Sequence, residues 1–421
     1  MRTTAAFFIA IRYLLGRAKE GGRYLRGAAA GIALSLIPIV VTLIVADGMI
    51  RGITERFLEL GTGHLQIRNN SFDPRFPEEV LEQLKGFEGL RGAWAEMYGI
   101  GVLVGNGAST GATIRAVDES FWEDEGSLRY LKVIEGEAKV KGERDVLLGE
   151  DLAHTLNVKA GNNVRIMTLS LGLDGRSIPR VQVFTVKGII SSGYKELDSL
   201  WCVMNLEAGR RFLPENTPSY LILKIDDPYG GIDDAAADLD NRISSGYAIE
   251  TWKHLQYAQY SSYESTRQIL LFIMAIIVIV AAVNVSSATS MLAIERQKDI
   301  AVLKTGGASP GFTSRVFLFA SFLTGVCGSV IGISLGLIIG VSINSVIRFI
   351  ESFLSFFTGL FQGDPVLILD SGFYLESIPI VIDWVTVAFI AFFTVLSSIL
   401  ASAIPAARAG KLKVLDVLRK H

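Results

Sequence analysis

Residues able to do covalent or metal chemistry are few in this chain of 421 residues. It has four histidines and two cysteines, with no C-x-x-C or paired-histidine spacing that would hold a metal. Cys202 and Cys327 lie far apart, and the apolar run around Cys327 argues against a structural disulfide. His154 stands in no nucleophile constellation, so we expect it on the surface or at a helix cap. The residue types therefore predict neither a catalytic centre nor a metal site.

The chain also lacks G-x-x-x-x-G-K-[ST], the loop that cradles phosphates in many ATPases. It is 50% hydrophobic with a mean hydropathy of +0.40, and its net charge of -2 gives no reason to expect nucleic-acid binding. Any work that it does must draw energy from another subunit. We therefore predict that the chain itself is not an enzyme.

Four apolar stretches are long enough to cross a bilayer, which takes about 20 residues. The predicted spans are residues 27–47, 269–294, 316–347 and 384–407, and their cores are uncharged. The absence of charge argues against a proton relay or an ion pathway. A cleaved signal peptide is the alternative for the first stretch, but its charged leader is long and no clear cleavage site follows. The third stretch exceeds the hydrocarbon thickness, which predicts a tilt or an extension beyond the membrane.

Lysine and arginine are concentrated in three of the segments outside the spans, and this bias predicts their side of the membrane. The basic segments are 1–26, 295–315 and the C-terminal tail 408–421. We therefore place both termini and the 295–315 segment in the cytoplasm. The large insert 48–268 and the loop 348–383 then lie outside.

The insert is large enough for one or two compact lobes. Alternating apolar residues predict strands at 64–69, 164–169, 181–190 and 220–225, and helical patterns occupy 77–87 and 230–243. The predicted fold is a membrane α-helical protein with four transmembrane helices in a 1+3 layout. A large α+β domain lies between the first and second spans.

A hairpin is predicted between two of these strands, over residues 170–180, because Asp174-Gly175 is a turn signal. Its tip is unusually apolar for a surface that faces water. It can pack back on its own domain, or it can protrude as an arm that docks a partner by apolar contact and strand edge. The candidate docking residues are Leu171, Leu173, Arg176, Ile178, Pro179 and Arg180.

The cytoplasmic segment 295–315 reads as a short charged helix followed by a sharp turn. Gly306 and Gly307 predict a left-handed cap, and Ser309-Pro310 predicts the start of the next helix. This elbow is either a solvated connector or a lever seated in an ATPase subunit. Its candidate contact residues are Glu295, Arg296, Lys298, Asp299, Ile300, Leu303, Gly306 and Gly307.

The third predicted span carries glycines four residues apart, which places them on one helix face. They are Gly328, Gly332, Gly336 and Gly340. Such a face lets another helix approach closely, so we expect tight helix packing here.

Two stretches resemble a known family. "ERQKDIAVLKTGGAS" at 295–309 and "SAIPAARAGKLKVLDVLR" at 402–419 are similar to the two signature motifs of FtsX-like ABC permeases, with Val414 where proline is usual. Within that superfamily, "FFIAIRYLLGR" at 7–17, "VADGMIRGITERFLELGTGHLQI" at 45–67 and "YLESIPIVIDW" at 374–384 most resemble the permeases of the Lol lipoprotein-releasing system.

The resemblance implies a multi-pass protein of the bacterial inner membrane, with its large MacB-like domain in the periplasm. Two permeases and two ATPase subunits would form the complex, with ATP and Mg²⁺ bound on the ATPases and no cofactor in this chain. The ATPases would grip the elbow, and a periplasmic carrier would accept lipoprotein cargo at the hairpin arm. The acyl chains would enter a cavity whose candidate lining is Val40, Leu43, Ile44, Met49, Ile269, Phe272 and Ile273.

Two alternatives remain at this point. A drug or peptide exporter permease often has an ATPase fused at its N-terminus, for which this chain has no room. A signalling permease of the cell-division FtsX kind would activate a cell-wall hydrolase and transport nothing. The size of the insert and the "YLESIPI" segment favour extraction of lipoproteins. The sequence leaves open whether the permease pair is a homodimer or a heterodimer, which member of a pair this is, and which cargo it takes.

Overall fold

The computed structural model describes residues 2–15, 22–69, 76–171, 177–243, 246–360 and 378–412. Backbone contacts divide the described chain into two compact units. One, here called the helical unit, contains residues up to Met49 and those from Tyr263 onward. The other, the sheet unit, begins at Ile50 and continues to Ser262.

The helices of both units carry most of the chain's length. In chain order they are α1 (Arg2–Leu15), α2 (Gly22–Arg56), α3 (Glu78–Gln83), α4 (Glu125–Tyr130), α5 (Glu150–Leu156), α6 (Lys195–Asp198), α7 (Leu206–Phe212), α8 (Ile232–Arg242), α9 (Trp252–Leu255), α10 (Tyr257–Glu295), α11 (Gln297–Thr305), α12 (Pro310–Val341), α13 (Ile343–Leu360) and α14 (Trp384–Lys411). Four of them, α2, α10, α12 and α14, are long and apolar enough to cross a membrane.

The glycine face of α12 lies directly against α2. A Cβ added at Gly332 would sit 2.8 Å from the Cα and the carbonyl oxygen of Ala33. The same face meets Ile32 at Gly328 and Ile44 at Gly340. Successive glycines along α12 contact successively later residues of α2, so the two helices run parallel. The missing side chains are what allow the two backbones to come so close.

Helix α14 packs antiparallel to α12 along a row of small and hydroxyl-bearing residues. Gly325 approaches Ser398, and Thr289 of α10 shares a hydrogen bond of 2.9 Å with Ser321. Ser402 lies 3.5 Å from the same threonine hydroxyl. Interhelical hydrogen bonds of this kind hold helices together where the surroundings are apolar.

Helix α1 was predicted only as part of a cytoplasmic lead-in, and the structure makes it an amphipathic helix. Ala6, Ala10 and Tyr13 share one face and are buried in a cluster with Val316 and Phe317 of α12. The Tyr13 and Phe317 rings lie 6.2 Å apart. The N-terminal segment is therefore a packed part of the helical unit.

The third membrane helix starts at Pro310, as the Ser309-Pro310 signal predicts, but the predicted span 316–347 extends too far at its C-terminal end. Helix α12 begins at Pro310 and ends at Val341, and α13 starts after a break at Ser342. Asn344 stabilises the break, because its side-chain amide donates to the Ile378 carbonyl and accepts from the Ile378 amide. The predicted loop 348–383 accordingly begins as helix, and its residues 361–377 lie outside the described chain.

The sheet unit is built on one mixed ten-stranded sheet. Its strands are β1 (Leu65–Asn69), β2 (Leu90–Val104), β3 (Ser109–Val117), β4 (Lys132–Gly136), β5 (Asp145–Gly149), β6 (Asn163–Leu171), β7 (Ser177–Ser191), β8 (Trp201–Asn205), β9 (Ser219–Ile225) and β10 (Tyr247–Thr251). They follow the order β10-β1-β9-β2-β3-β8-β5-β7-β4, and β6 bridges β2 and β7. All four strands expected from the sequence are present, so the α+β prediction is confirmed.

The C-terminal end of α2 and the π-helical turn that follows it, Phe57–Gly61, are fixed inside the sheet unit by buried charges. Lys224 is 1% exposed and donates to Glu59 at 2.6 Å, and it also pairs with Asp124. Arg115 donates to the Leu60 carbonyl at 2.6 Å and pairs with buried Glu96. Because a buried charge is tolerated only when it is paired, these contacts define the position of the turn.

Candidate functional sites

The elbow is the helix α11 with the turn that follows it. Arg296 separates α11 from α10, so the charged helix of the elbow does not continue directly from the preceding membrane helix. Gly307 adopts a φ of 90°, and the Ala308 amide donates to the Leu303 carbonyl. The Ser309 hydroxyl then accepts from the Phe312 amide to start α12. The predicted caps are all present, and they make the elbow a sharply turned element.

Three neighbouring helices hold the elbow in place. Ile300 is buried in the cluster formed with α1, α12 and α14. The Lys304 ammonium donates to the Gly410 carbonyl at 2.7 Å and so joins α11 to the end of α14. The Arg296 guanidinium lies 5.2 Å from the centre of the Tyr13 ring and pairs with Asp299 at 2.9 Å. Burial, together with the Asp299 carboxylate, raises the pKa of Tyr13 to about 12, so its hydroxyl stays neutral.

The outer surface of the elbow differs from the expected one. Ile300 was a candidate contact residue, but it is buried and stabilises the elbow from within. Leu303 is only half-buried, whereas its neighbour Val302 is 70% exposed. Lys298 and the two glycines are also exposed. Val302 was not among the predicted contact residues, because the sequence of a nine-residue helix does not show which apolar side chain faces outward.

The hairpin itself can be described only at its base, because Leu173 and Arg176 lie outside the described residues, as does the side chain of Leu171. Ile178 and Pro179 are exposed. Arg180 instead reaches back, since its guanidinium donates to the Leu213 carbonyl at 3.2 Å. One of the six candidate docking residues therefore holds the strand on its own domain.

Below the hairpin, three adjacent strands present a continuous row of exposed apolar side chains. Val102 on β2 faces Met167 on β6, and Met167 faces Val181 on β7. Neighbours two residues along each strand lie on the same side. We call the set the apolar strand face: Ile100, Val102, Met167, Leu169, Val181 and Val183.

The strands that carry the apolar strand face are unusual because they are apolar on their exposed side as well as on their buried side. Leu103 and Ile166 belong to the core, while Ile100 is 85% exposed. A contiguous exposed apolar patch of this kind marks a surface for a protein or a lipid. The sequence contained a signal for this face. In the predicted strand 164–169 and in β2, apolar residues occur on both sides of the strand and not only on the side that is buried.

The candidate cavity residues separate into two groups. Val40, Leu43 and Ile44 are buried in the helical unit, and Val40 and Ile44 occupy the space beside the glycines of α12. In this arrangement they cannot line an open cavity, so the prediction is wrong for these three. Met49 is half-buried, whereas Ile269, Phe272 and Ile273 form an exposed apolar face on α10 together with Ile276 and Val280.

An ion-pair network joins α2, α10 and the start of α14 beside that face. Arg267 of α10 donates to Asp383 at 2.6 Å, and its Nε lies 3.4 Å from Asp47 of α2. Asp383 also caps α14 through its bonds to the amides of Val385 and Thr386. Side-chain and backbone donors from Thr386, together with Arg267, hold the pKa of the Asp383 carboxyl below its usual range despite burial.

Among the residues that the structure describes, no group of three or more His, Cys, Asp or Glu side chains could hold a metal ion. The buried thiol of Cys202 has a pKa raised by burial, which makes it a structural rather than a reactive cysteine. His154, in the last turn of α5, is exposed as expected. The surfaces that remain as candidates are the elbow, the apolar strand face and the exposed side of α10.

Known proteins match both parts of the chain. The family described as MacB-like periplasmic core domain matches residues 27–241, and the family described as FtsX-like permease C-terminal matches residues 271–414. The lipoprotein-releasing system transmembrane protein LolC of Xylella fastidiosa (strain Temecula1) is 25% identical over 418 residues, which cover 98% of each chain. LolC of Neisseria meningitidis serogroup B is 25% identical over 422 residues, again 98% of each chain. LolE of Haemophilus influenzae is 25% identical over 438 residues, or 99% of each chain.

Proposed function

Because the chain belongs to the family defined by the MacB-like periplasmic core domain, here joined to an FtsX-like permease C-terminal domain, we propose that it is the permease subunit of an ATP-driven lipoprotein-releasing complex. The complex takes lipoproteins from the outer leaflet of the bacterial inner membrane. It passes them to a periplasmic carrier for delivery to the outer membrane. ATP and Mg²⁺ bind on a separate ATPase subunit, and a second permease, identical or paralogous, completes the complex.

The proposed topology is one span, α2, before the periplasmic domain and three spans, α10, α12 and α14, after it. The parallel packing of α2 and α12 supports this layout, since both helices must then cross in the same direction. The antiparallel α14 supports it in the same way, because Ser314 near the start of α12 meets Gly410 near the end of α14. The elbow then lies on the cytoplasmic side, where an ATPase can reach it.

The observation that carries the proposal is the apolar strand face. A carrier of acyl chains must present apolar surface of its own, and a water-exposed apolar face at the base of a hairpin offers it a matching seat. Removing an acyl chain from a bilayer costs about 0.8 kcal/mol per buried CH₂ group. A lipoprotein with several chains therefore needs both ATP-driven work and an apolar acceptor.

The cargo path follows from the same reasoning. The exposed side of α10, with Ile269 and Phe272, offers acyl chains an apolar surface at the end of the helix nearest the periplasmic domain. The ion pairs of Arg267 with Asp47 and Asp383 hold the helix ends together beside this surface. ATP-driven movement of the elbow, transmitted along α10 and α12, would close the space in front of it and expel the chains.

Reconstitution tests the proposal. The full chain and its ATPase partner are placed in liposomes that hold a triacylated lipoprotein, and ATP, Mg²⁺ and a periplasmic carrier are added. We expect lipoprotein to appear in a soluble complex with the carrier only when ATP and Mg²⁺ are both present. ATP hydrolysis without any release would refute the proposal and would support a signalling permease instead.

A matched pair of variants connects release to the apolar strand face. Leu169→Asp places a charge in the middle of the face, and we expect it to lower transfer to the carrier at least tenfold. Ile134→Asp changes an equally apolar, half-exposed side chain on β4, away from the face, and should leave transfer unchanged. Equal transfer by both variants would show that the carrier docks elsewhere.

A further inference from the structure

A second apolar surface lies on the helical unit, away from the exposed side of α10. It is a groove of about 530 Å³ between α2 and α12, and Leu14 of α1 closes one end. Ala30, Ala33 and Leu34 form the α2 wall, and Leu335 lies on the α12 wall. The lining is almost wholly apolar, so it offers few hydrogen-bond partners to a water molecule.

Among the described residues that line the groove, Arg26 is the charged one, and it stands at the start of the α2 wall. Arg26 is exposed, and the bond from its Nε to the Gly22 carbonyl, 3.2 Å long, directs the guanidinium along the start of α2. From Arg26 to Ile37 the α2 wall rises about 16 Å at 1.5 Å per residue, close to half of the roughly 30 Å hydrocarbon core. The groove therefore has the depth of one leaflet and a cation where the headgroups of that leaflet lie.

We propose that this groove binds an anionic phospholipid of the cytoplasmic leaflet, with one acyl chain along the alanine wall and its phosphate at Arg26. Arg23, one turn earlier, is also exposed but does not line the groove, so it serves as the matched control. This inference rests on the topology proposed above, which puts the start of α2 in the cytoplasm. The site is distinct from the cargo path, because cargo enters from the opposite leaflet.

The position of the groove gives the bound lipid a structural role. Leu14 lines the groove, and its neighbour Tyr13 lies against Phe317 and against Arg296 at the start of the elbow. A lipid that fills the groove supports α1 from the membrane side. Because a ligand that binds only the folded state stabilises it, the lipid should raise the thermal stability of the protein.

The first experiment measures that stabilisation. The full chain, purified with its ATPase partner in mild detergent, is heated with added phosphatidylglycerol or with phosphatidylcholine of the same acyl chains. We expect a larger rise in Tm with phosphatidylglycerol, lost in Arg26→Gln and kept in Arg23→Gln. An equal rise with both lipids would overturn the proposal. So would an equal loss in both variants, which would indicate diffuse attraction to a basic segment.

The second experiment locates the lipid. Phosphatidylglycerol with a photoreactive acyl chain is incorporated in nanodiscs, and cross-linked peptides are identified by mass spectrometry. We expect cross-links at Leu34 and Leu335, and their loss in Ala30→Phe, whose ring fills the groove from its exposed wall. Labelling elsewhere on the protein with none at Leu34 or Leu335, or labelling there that persists in Ala30→Phe, would overturn the proposal.

The two proposals fail separately. Release of lipoprotein without selective binding of phosphatidylglycerol would remove only the lipid site. Selective lipid binding at Arg26 without ATP-driven release would remove only the proposed function. The lipid measurements need no cargo and no carrier, so they do not depend on the release assay.

Discussion

Val302 is the exposed apolar side chain at the centre of the elbow, between the half-buried Leu303 and the buried Ala301. The interface residues that contribute most to binding lie near the centre of the contact and become fully desolvated by the partner. Ile300 cannot play this role because it already belongs to the core of the helical unit. At the scale of the residue, Val302, next to the candidate Leu303, is therefore the apolar side chain of α11 that a partner could cover.

We predict that Val302→Asp weakens binding of the ATPase by at least about tenfold, the loss expected when a charge enters an apolar contact. Copurification of the two subunits and ATP-driven release measure the effect. Val302→Ile, which keeps the side chain apolar, should behave as the unmodified protein. Normal copurification of Val302→Asp would mean that the ATPase does not contact this side of α11.

Asp124 provides a residue-scale test of the buried charges that fix the end of α2. Burial acts to raise the pKa of its carboxyl, but the Lys224 ammonium and the Ser127 amide outweigh burial and lower the pKa. The ionised form is therefore favoured by folding. Its contribution to stability is complete above the ordinary pKa of an aspartate, about 4, and is lost as the pH falls through the lower folded value.

We accordingly predict that Asp124→Asn lowers the free energy of unfolding near neutral pH, because buried Lys224 loses one of its two acidic partners. The variant should also lose less stability than the unmodified protein between about pH 5 and pH 3. Thermal unfolding at several pH values measures both effects. Asp240→Asn, an exposed change on α8, is the control, and an identical pH profile for both variants would contradict the argument.

At the scale of the element, the glycine face of α12 is the contact that sets the distance between two membrane helices. A Cβ at Gly332 would lie 2.8 Å from backbone atoms of Ala33, which cannot move without moving α2. Overpacking of this kind typically costs about 1–3 kcal/mol. Close approach, and not the flexibility of glycine, is therefore the reason for glycine at this position.

We predict that Gly332→Ala destabilises the helical unit by about 1–3 kcal/mol and lowers its Tm in detergent. Gly311→Ala lies in the first turns of the same helix, where an added Cβ has nothing within 4 Å. The control should be neutral or slightly stabilising, because alanine favours helix more than glycine does. A neutral Gly332→Ala would mean that the two helices are not held by this contact.

Some elements of the fold could be predicted from local sequence signals, and others could not. Long uncharged runs predicted the four membrane helices, and alternating apolar residues predicted four of the strands. The caps at Gly307 and Ser309 predicted the turn of the elbow. Each of these signals is local. Helix α13 and the break at Ser342 were missed since the apolar run continues through them. The bond partner of Asn344 is Ile378, thirty-four positions later, so no local pattern could reveal it.

The functional surfaces were predicted less completely than the helices, for a related reason. The row of Val102, Met167 and Val181 exists only because β6 pairs with both β2 and β7. Strand pairing between segments that are far apart in the chain cannot be predicted from the sequence of any one segment. In the same way, Val40 was predicted to line the lipid cavity, but it packs against the glycines of α12, a contact between segments far apart in the chain.

At the scale of the whole molecule, α2 and α10 are the two helices whose residues continue from the helical unit into the sheet unit. The ends of both are fixed by charges: α2 by the contacts of Glu59 in the sheet unit, and α10 by Arg267 in the helical unit. In the function proposed above, ATP is hydrolysed on a separate subunit, and these two helices transmit a movement that begins at the elbow.

That design requires the elbow and the sheet unit to face opposite sides of the membrane, and we predict that they do. Single cysteines at Lys298 and Glu119, both exposed positions, report the two sides in spheroplasts treated with a membrane-impermeant maleimide. Glu119→Cys should react at once, and Lys298→Cys only after the membrane is permeabilised, because the basic segments remain inside. The unmodified chain, with Cys202 buried and Cys327 half-buried, gives the background. Reaction of Lys298→Cys in intact spheroplasts would reverse the topology and would leave the ATPase no access to the elbow.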